Sequence, residues 1–224
     1  MRVIGQAVVH AWSVIESDPA MHLAKPTPGN PAEDIYTDAL CELLLQMLKS
    51  PTAVVPGFSS AHFEHVSRAE NLSNYNAQFI NKQPDLIIQL ADGPLQQTRR
   101  YVGIYVETKI VSMKTPISRY TDEGLKRFIV GDYAWAMQGA MMIAYQAQRP
   151  RPRQTLEVKL AADATLATIP QQGHCFASPA AAAPLCGNSM HQRTWHYHSG
   201  DNPGPIRVWH MWSLHIPGLS SGAP

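Results

Sequence analysis

The run Tyr-Val-Gly-Ile-Tyr-Val-Glu-Thr-Lys-Ile-Val, from Tyr101 to Val111, constrains this chain more than any other stretch. Its β-branched and aromatic side chains suit the pleated surface of a sheet, so it predicts a strand. Yet it carries two charges, Glu107 and Lys109. Side chains alternate along a strand, so these two share a face and Thr108 points away from it. A second apolar run, Pro84-Asp85-Leu86-Ile87-Ile88-Gln89-Leu90, predicts another strand, followed by the turn signal Ala91-Asp92-Gly93-Pro94. Asp85 shares its face with Ile87 and Gln89. Paired as a hairpin, the two strands bring Asp85, Glu107 and Lys109 together on a mostly apolar surface. Two carboxylates and an amine there are expensive to bury unpaired. A divalent cation resolves that cost, because Mg²⁺ takes one or two carboxylates and completes its shell with water and phosphate oxygens.

The rest of the chain supplies context for these strands. Residues 1–29 are expected as an N-terminal arm: Met1 to Pro19 is apolar only in patches, interrupted by Gln6, His10 and Glu16, and 17–32 is rich in proline and small polar residues. With no basic head and no continuous apolar stretch, the start is not read as a signal peptide. Asn30-Pro31-Ala32-Glu33 opens a helix with a cap, a proline at the first position and a glutamate three residues after the cap. Leu40, Leu43, Leu44, Met47 and Leu48 continue it, and Lys49-Ser50-Pro51 ends it. A weak strand is expected over Ala61–Val66. Thr121 to Gln148 lacks proline and predicts one long buried helix through Leu125, Phe128, Ile129, Trp135, Met141, Met142 and Tyr145. Leu156–Leu160 predicts a short strand. Gln192–His198 and Ile206–Ile216 predict a hairpin in a C-terminal extension over 161–224, and Pro217 to Pro224 is expected to fray. The order helix, strand, strand, strand, helix, strand fits an α/β layer architecture.

Pro84-Asp85 followed by Glu107-Thr108-Lys109 resembles the signature of the PD-(D/E)XK, or restriction endonuclease-like, nuclease superfamily. The resemblance covers roughly residues 30–160 and implies a mixed β-sheet flanked by helices in the order αβββαβ, here with a C-terminal β-hairpin extension. It implies a metal-dependent nuclease that hydrolyses DNA phosphodiester bonds, using Mg²⁺ or Mn²⁺. Asp85 and Glu107 would ligate the metal, and Lys109 would orient or deprotonate the attacking water and offset phosphate charge. Members with this core are often homodimers, or effector subunits with a regulatory partner in restriction and anti-phage systems. Many add an acidic residue from the first helix. Glu33 lies on the same face as Leu40, Leu44 and Met47, while Asp34, Asp38 and Glu42 drift to the solvent side. A capping box demands the same glutamate, so both roles stand open. Some exonuclease branches carry Gln-x-x-x-Tyr on the next helix; here Gln138 and Tyr145 are seven apart with Met142 between, which does not support that branch, and Gln138 is kept only as a groove-facing candidate.

Positive charge in the middle of the chain comes from Arg99, Arg100, Lys114, Arg119, Lys126, Arg127 and the Arg149/Arg151/Arg153 run. Of these, Arg119, Lys126 and Arg127 are candidates to hold DNA phosphates. The net charge of +1 excludes a protein basic all over, though not a local basic groove. At 45% hydrophobic and 16% charged, the composition excludes disorder of the bulk. No apolar run is long enough to span a bilayer, so no membrane partner is expected. Three scattered cysteines, Cys41, Cys175 and Cys186, favour a reducing, cytoplasmic setting. Six of the ten histidines fall between His174 and His215, which raises a second possibility, a zinc-stabilised interaction protein; the spacing matches no standard zinc motif. A third is a member of the nuclease fold that binds DNA or a partner without cutting.

Overall fold

The computed structural model describes residues 1–91, 101–112, 115–147, 152–170 and 187–216. Six strands form one mixed sheet: β1 (Phe63–Arg68), β2 (Leu86–Leu90), β3 (Gly103–Val111), β4 (Gly139–Gln146), β5 (Gly187–His191) and β6 (Ile206–His215), in spatial order β1-β2-β3-β4-β6-β5. β1, β2 and β3 pair antiparallel. β4 lies parallel to both β3 and β6, and β5 closes the far edge antiparallel to β6. The central strands are buried along almost their whole length, whereas β5 alternates buried and half-buried residues as an edge strand does.

Helices cover both faces, so the molecule is an α/β layer structure. α1 (Arg2–Ser17) and α3 (Ala32–Lys49) pack on the face that carries Val66, Leu86, Ile88, Val106, Met141 and Ile143. The opposite face carries Ile87, Tyr105, Ala140, Met142 and Val208. Against it lie α4 (Ile117–Tyr120), a π-helical turn (Thr121–Leu125), α5 (Lys126–Ile129) and α6 (Pro152–Ala162). A one-turn helix, α2 (Pro19–His22), follows α1. No helix among the described residues is long and apolar enough to cross a membrane.

Several expectations are corrected. The segment 1–29 is not an arm: Ile4, Ala7, Val8, Ala11, Trp12 and Ile15 are buried, and the Trp12 indole donates to the His215 carbonyl at 2.9 Å. Gln6, His10 and Glu16, which break the apolar run in sequence, form the more exposed side of an amphipathic helix. The long helix over 121–148 does not exist. Helix ends at Ile129, Gly131 adopts φ +79°, and 139–146 is the strand β4. Alanine and methionine favour helix intrinsically, but two-sided burial between β3 and β6 decides otherwise. Leu156–Leu160 belongs to α6, which opens on Pro152, a residue suited to a first helical turn. Gln192–His198 lies just after the strand rather than in it. Within the expected extension, β5 and β6 join the main sheet, with β6 hydrogen-bonded to β4. Pro217 to Pro224, Asp92 to Pro94, Arg99, Arg100, Lys114, Arg149, Arg151, His174, Cys175 and Cys186 lie outside the described residues.

Candidate active site

β3 runs on past the start of β2, and that overhang builds the site. The β2–β3 ladder begins at Leu86 opposite Val106, so the next amides of β3 on that edge have no strand to bond. Buried backbone amides need partners. Asp85 Oδ2 accepts from the Thr108 amide at 2.7 Å and from the Thr108 hydroxyl at 2.9 Å. Glu33 Oε2, from the first turn of α3, accepts from the Ile110 amide at 2.9 Å. Glu33 therefore serves β3 rather than a capping box: α3 begins at Ala32, and Pro31 at its cap provides no side-chain bond. Asp34 and Asp38 do sit on the outer side of the helix, where both pair with Arg68 at 2.6 and 3.3 Å.

Lys109 draws these groups together. Its Nζ lies 3.2 Å from Glu107 Oε2, 3.3 Å from Glu33 Oε1 and 3.7 Å from Asp85 Oδ2, and it donates to the Thr108 carbonyl at 2.8 Å. Glu107 is fully buried and Lys109 nearly so. Burial, and next the neighbouring Asp85, push the Glu107 carboxyl up to about 7, although Lys109, Arg127 and Tyr133 pull the other way. Burial lowers the Lys109 pKa, but Glu107, Asp85 and Glu33 together outweigh it and leave it raised. Lys109 thus stands as an ammonium, able to donate hydrogen bonds and offset anionic charge. Above it, the π-helical turn comes so close that a Cβ added at Gly124 would stand 2.5 Å from Met142 Cε and 3.7 Å from Lys109 Cγ.

The structure brings Glu33, Asp85, Glu107 and Lys109 together. Arg119 stands at the rim, 4.0 Å from Glu33 Oε1 and 3.1 Å from Glu123 Oε2. Arg127 NH1 lies 3.4 Å from Glu107 Oε1, and Lys126 is half-buried beside it on α5. Gln138 is displaced from the group. It precedes β4, four residues before the Met142 that pairs with Glu107, about 13 Å along the strand, and its carbonyl accepts from the Arg207 amide. Sequence reasoning missed Tyr133, whose hydroxyl donates to Glu107 Oε1. It also missed Thr37, 2.9 Å from the Thr108 hydroxyl. Thr37 is detectable as the residue one turn beyond Glu33; Tyr133 falls in the stretch misread as helix and carries no local signal.

Three carboxylates converging on one side offer oxygen lone pairs, the donor type that a hard divalent cation takes, with Lys109, Arg119 and Arg127 set against their charge. Among the described residues, no group of three or more His, Cys, Asp or Glu side chains forms a ready cage for a metal. Mg²⁺ does not need one, since one or two carboxylates plus water and phosphate oxygens suffice. The C-terminal histidines behave differently. His210 and His191 are buried in a chain of bonds from the Tyr120 hydroxyl to His210 Nδ1 (2.8 Å), His210 Nε2 to Ser189 (2.7 Å), Ser189 to His191 Nε2 (2.6 Å) and His191 Nδ1 to the Leu166 carbonyl (2.7 Å). Both ring nitrogens of each are engaged, so this pair offers zinc no ligand in this arrangement.

A scan against protein-family models finds no match, and searches of curated proteins and of solved structures return none either.

Proposed function

We propose that this chain is a restriction endonuclease-like nuclease that hydrolyses DNA phosphodiester bonds with a bound Mg²⁺ or Mn²⁺. One observation carries the proposal: Glu33, Asp85 and Glu107 converge on Lys109 Nζ where β3 runs on past the start of β2. Asp85 and Glu107, with Glu33, would hold the cation. When bound, the cation would polarise a phosphoryl oxygen and lower the pKa of a coordinated water. Lys109, held as an ammonium, would orient that water and offset the charge that develops on the phosphate. Arg119, Lys126 and Arg127, the last from beside Glu107, would hold the flanking backbone phosphates.

A specific observation also favours a non-catalytic reading of the same architecture, in which the protein binds DNA or a partner. Asp85 and Glu33 already satisfy β3 amides, and Lys109 already neutralises part of their charge, so the cluster is intelligible as sheet-edge capping. A cleavage assay on supercoiled plasmid and on single-stranded DNA, with Mg²⁺ or Mn²⁺, separates the two. Cutting by the wild type that is lost in both Asp85→Ala and Lys109→Ala supports the nuclease. Cutting that survives both substitutions, or a wild type that neither cuts nor binds Mn²⁺ in calorimetry, sinks it.

A further inference from the structure

On the nuclease reading above, we propose that Tyr133 is a positioning residue that makes Glu107 a one-oxygen metal ligand. The two oxygens of Glu107 have separate surroundings. Oε1 accepts from the Tyr133 hydroxyl and from Arg127 NH1 at 3.4 Å, while Oε2 accepts from Lys109 Nζ at 3.2 Å, on the side where Glu33 and Asp85 converge. Glu107 is wholly buried, so water does not compete for Oε1. Two donors withdraw Oε1 from a cation more than the single ammonium withdraws Oε2, so Oε2 is the oxygen left to act as ligand, with its direction set.

Tyr133 is built to hold this geometry. Its ring is 1% exposed, packs edge-on against Phe128 at 5.2 Å and lies parallel to Tyr105 at 6.3 Å. Gly131 at φ +79° and Ala134 at φ +55° bracket it and turn it inward. At Gly131 the backbone passes so close to Tyr75 and Trp195 that an added Cβ would stand 2.7 Å and 2.8 Å from them. Tyr75 in turn donates its amide to the Gly131 carbonyl at 3.2 Å. The loop is thus clamped from outside while the hydroxyl is aimed at one oxygen.

The test is Mn²⁺ titration calorimetry on the full chain without DNA, for wild type, Tyr133→Phe, Arg127→Gln and Glu107→Gln, with plasmid cleavage measured alongside. Tyr133→Phe keeps the ring and removes only the donor. It is expected to weaken Mn²⁺ binding about tenfold to a hundredfold, as loss of an outer partner does elsewhere. Raised Mn²⁺ should restore its cleavage, and its KM for DNA should stay unchanged, whereas Glu107→Gln recovers neither binding nor cleavage. Arg127→Gln should show a smaller loss in the same direction. It carries the test alone if Tyr133→Phe does not fold, since the arginine side chain is 40% exposed. Wild-type affinity in both Tyr133→Phe and Arg127→Gln, with binding lost in Glu107→Gln, overturns the positioning role and leaves the nuclease reading standing. A wild type that binds no Mn²⁺ overturns both together.

Discussion

At the scale of single residues, buried charge dominates. Removing Lys109 strands three carboxylates. Breaking a buried ion pair from one side costs about 3–5 kcal/mol, but Glu107 titrates near 7 and can shed its charge. Lys109→Met is therefore expected to cost about 3 kcal/mol at pH 8 and clearly less at pH 6. Urea unfolding at both values checks this, and equal losses at the two would contradict it. Two buried groups also titrate in opposite senses. His210 is pushed down to about 3 by burial and then by His191, so the unfolded chain takes up its proton first, and stability falls as pH drops below about 6.5. The raised Glu107 keeps a proton that the unfolded chain releases, so stability falls as pH rises from about 4.5 to about 7. Between about 4.5 and 6.5 the two contributions offset each other. Glu107→Gln removes one of them, and its stability should climb with pH across that window by on the order of 1 kcal/mol per unit more than the wild type. Parallel pH profiles of unfolding midpoint would show that this pairing is wrong.

At the scale of elements, α1 is the clearest departure from a local reading. Ile4, Ala7, Val8, Ala11, Trp12 and Ile15 recur at helical spacing and are buried, so truncating a large one leaves a cavity. Ile15→Ala is expected to lower stability by about 2–4 kcal/mol, whereas an arm would lose almost nothing. Chemical denaturation of that variant decides the matter. β4 teaches the complementary lesson. Gly-Ala-Met-Met-Ile-Ala-Tyr-Gln contains one β-branched residue, and nothing in it speaks for a strand until β3 and β6 are placed on either side. At β4–β6 the register also slips, with Ile143 opposite Met211 but Tyr145 opposite Leu214, so an extra residue on β6 shifts which side chains face α1 and α3.

At the scale of the whole molecule, one sheet unites residues from 63 to 215. β6 covers the open edge of β4, and Trp12 of α1 bonds to the His215 carbonyl, so both ends of the described chain close the same core. A chain ending at residue 160 should consequently lose cooperative thermal unfolding by circular dichroism. A sharp transition in that fragment would contradict this and show a core that folds without residues 161–224. The sequence by itself determined the strands β2 and β3, and a two-residue period put Glu107 with Lys109 on one face and Asp85 in position to join them once the strands pair. It also narrowed the helical acid to Glu33, because a regular helix phases its faces from local sequence alone. Only the tertiary structure decided that Asp85 and Glu33 take up the overhanging amides of β3. The same holds for β4 as a strand, for the place of the C-terminal hairpin inside the sheet, and for the Tyr133 hydroxyl on Glu107. Each of these depends on which residues far along the chain bury a surface or complete a hydrogen bond, and local propensity, worth a few tenths of a kcal/mol per residue, yields to that.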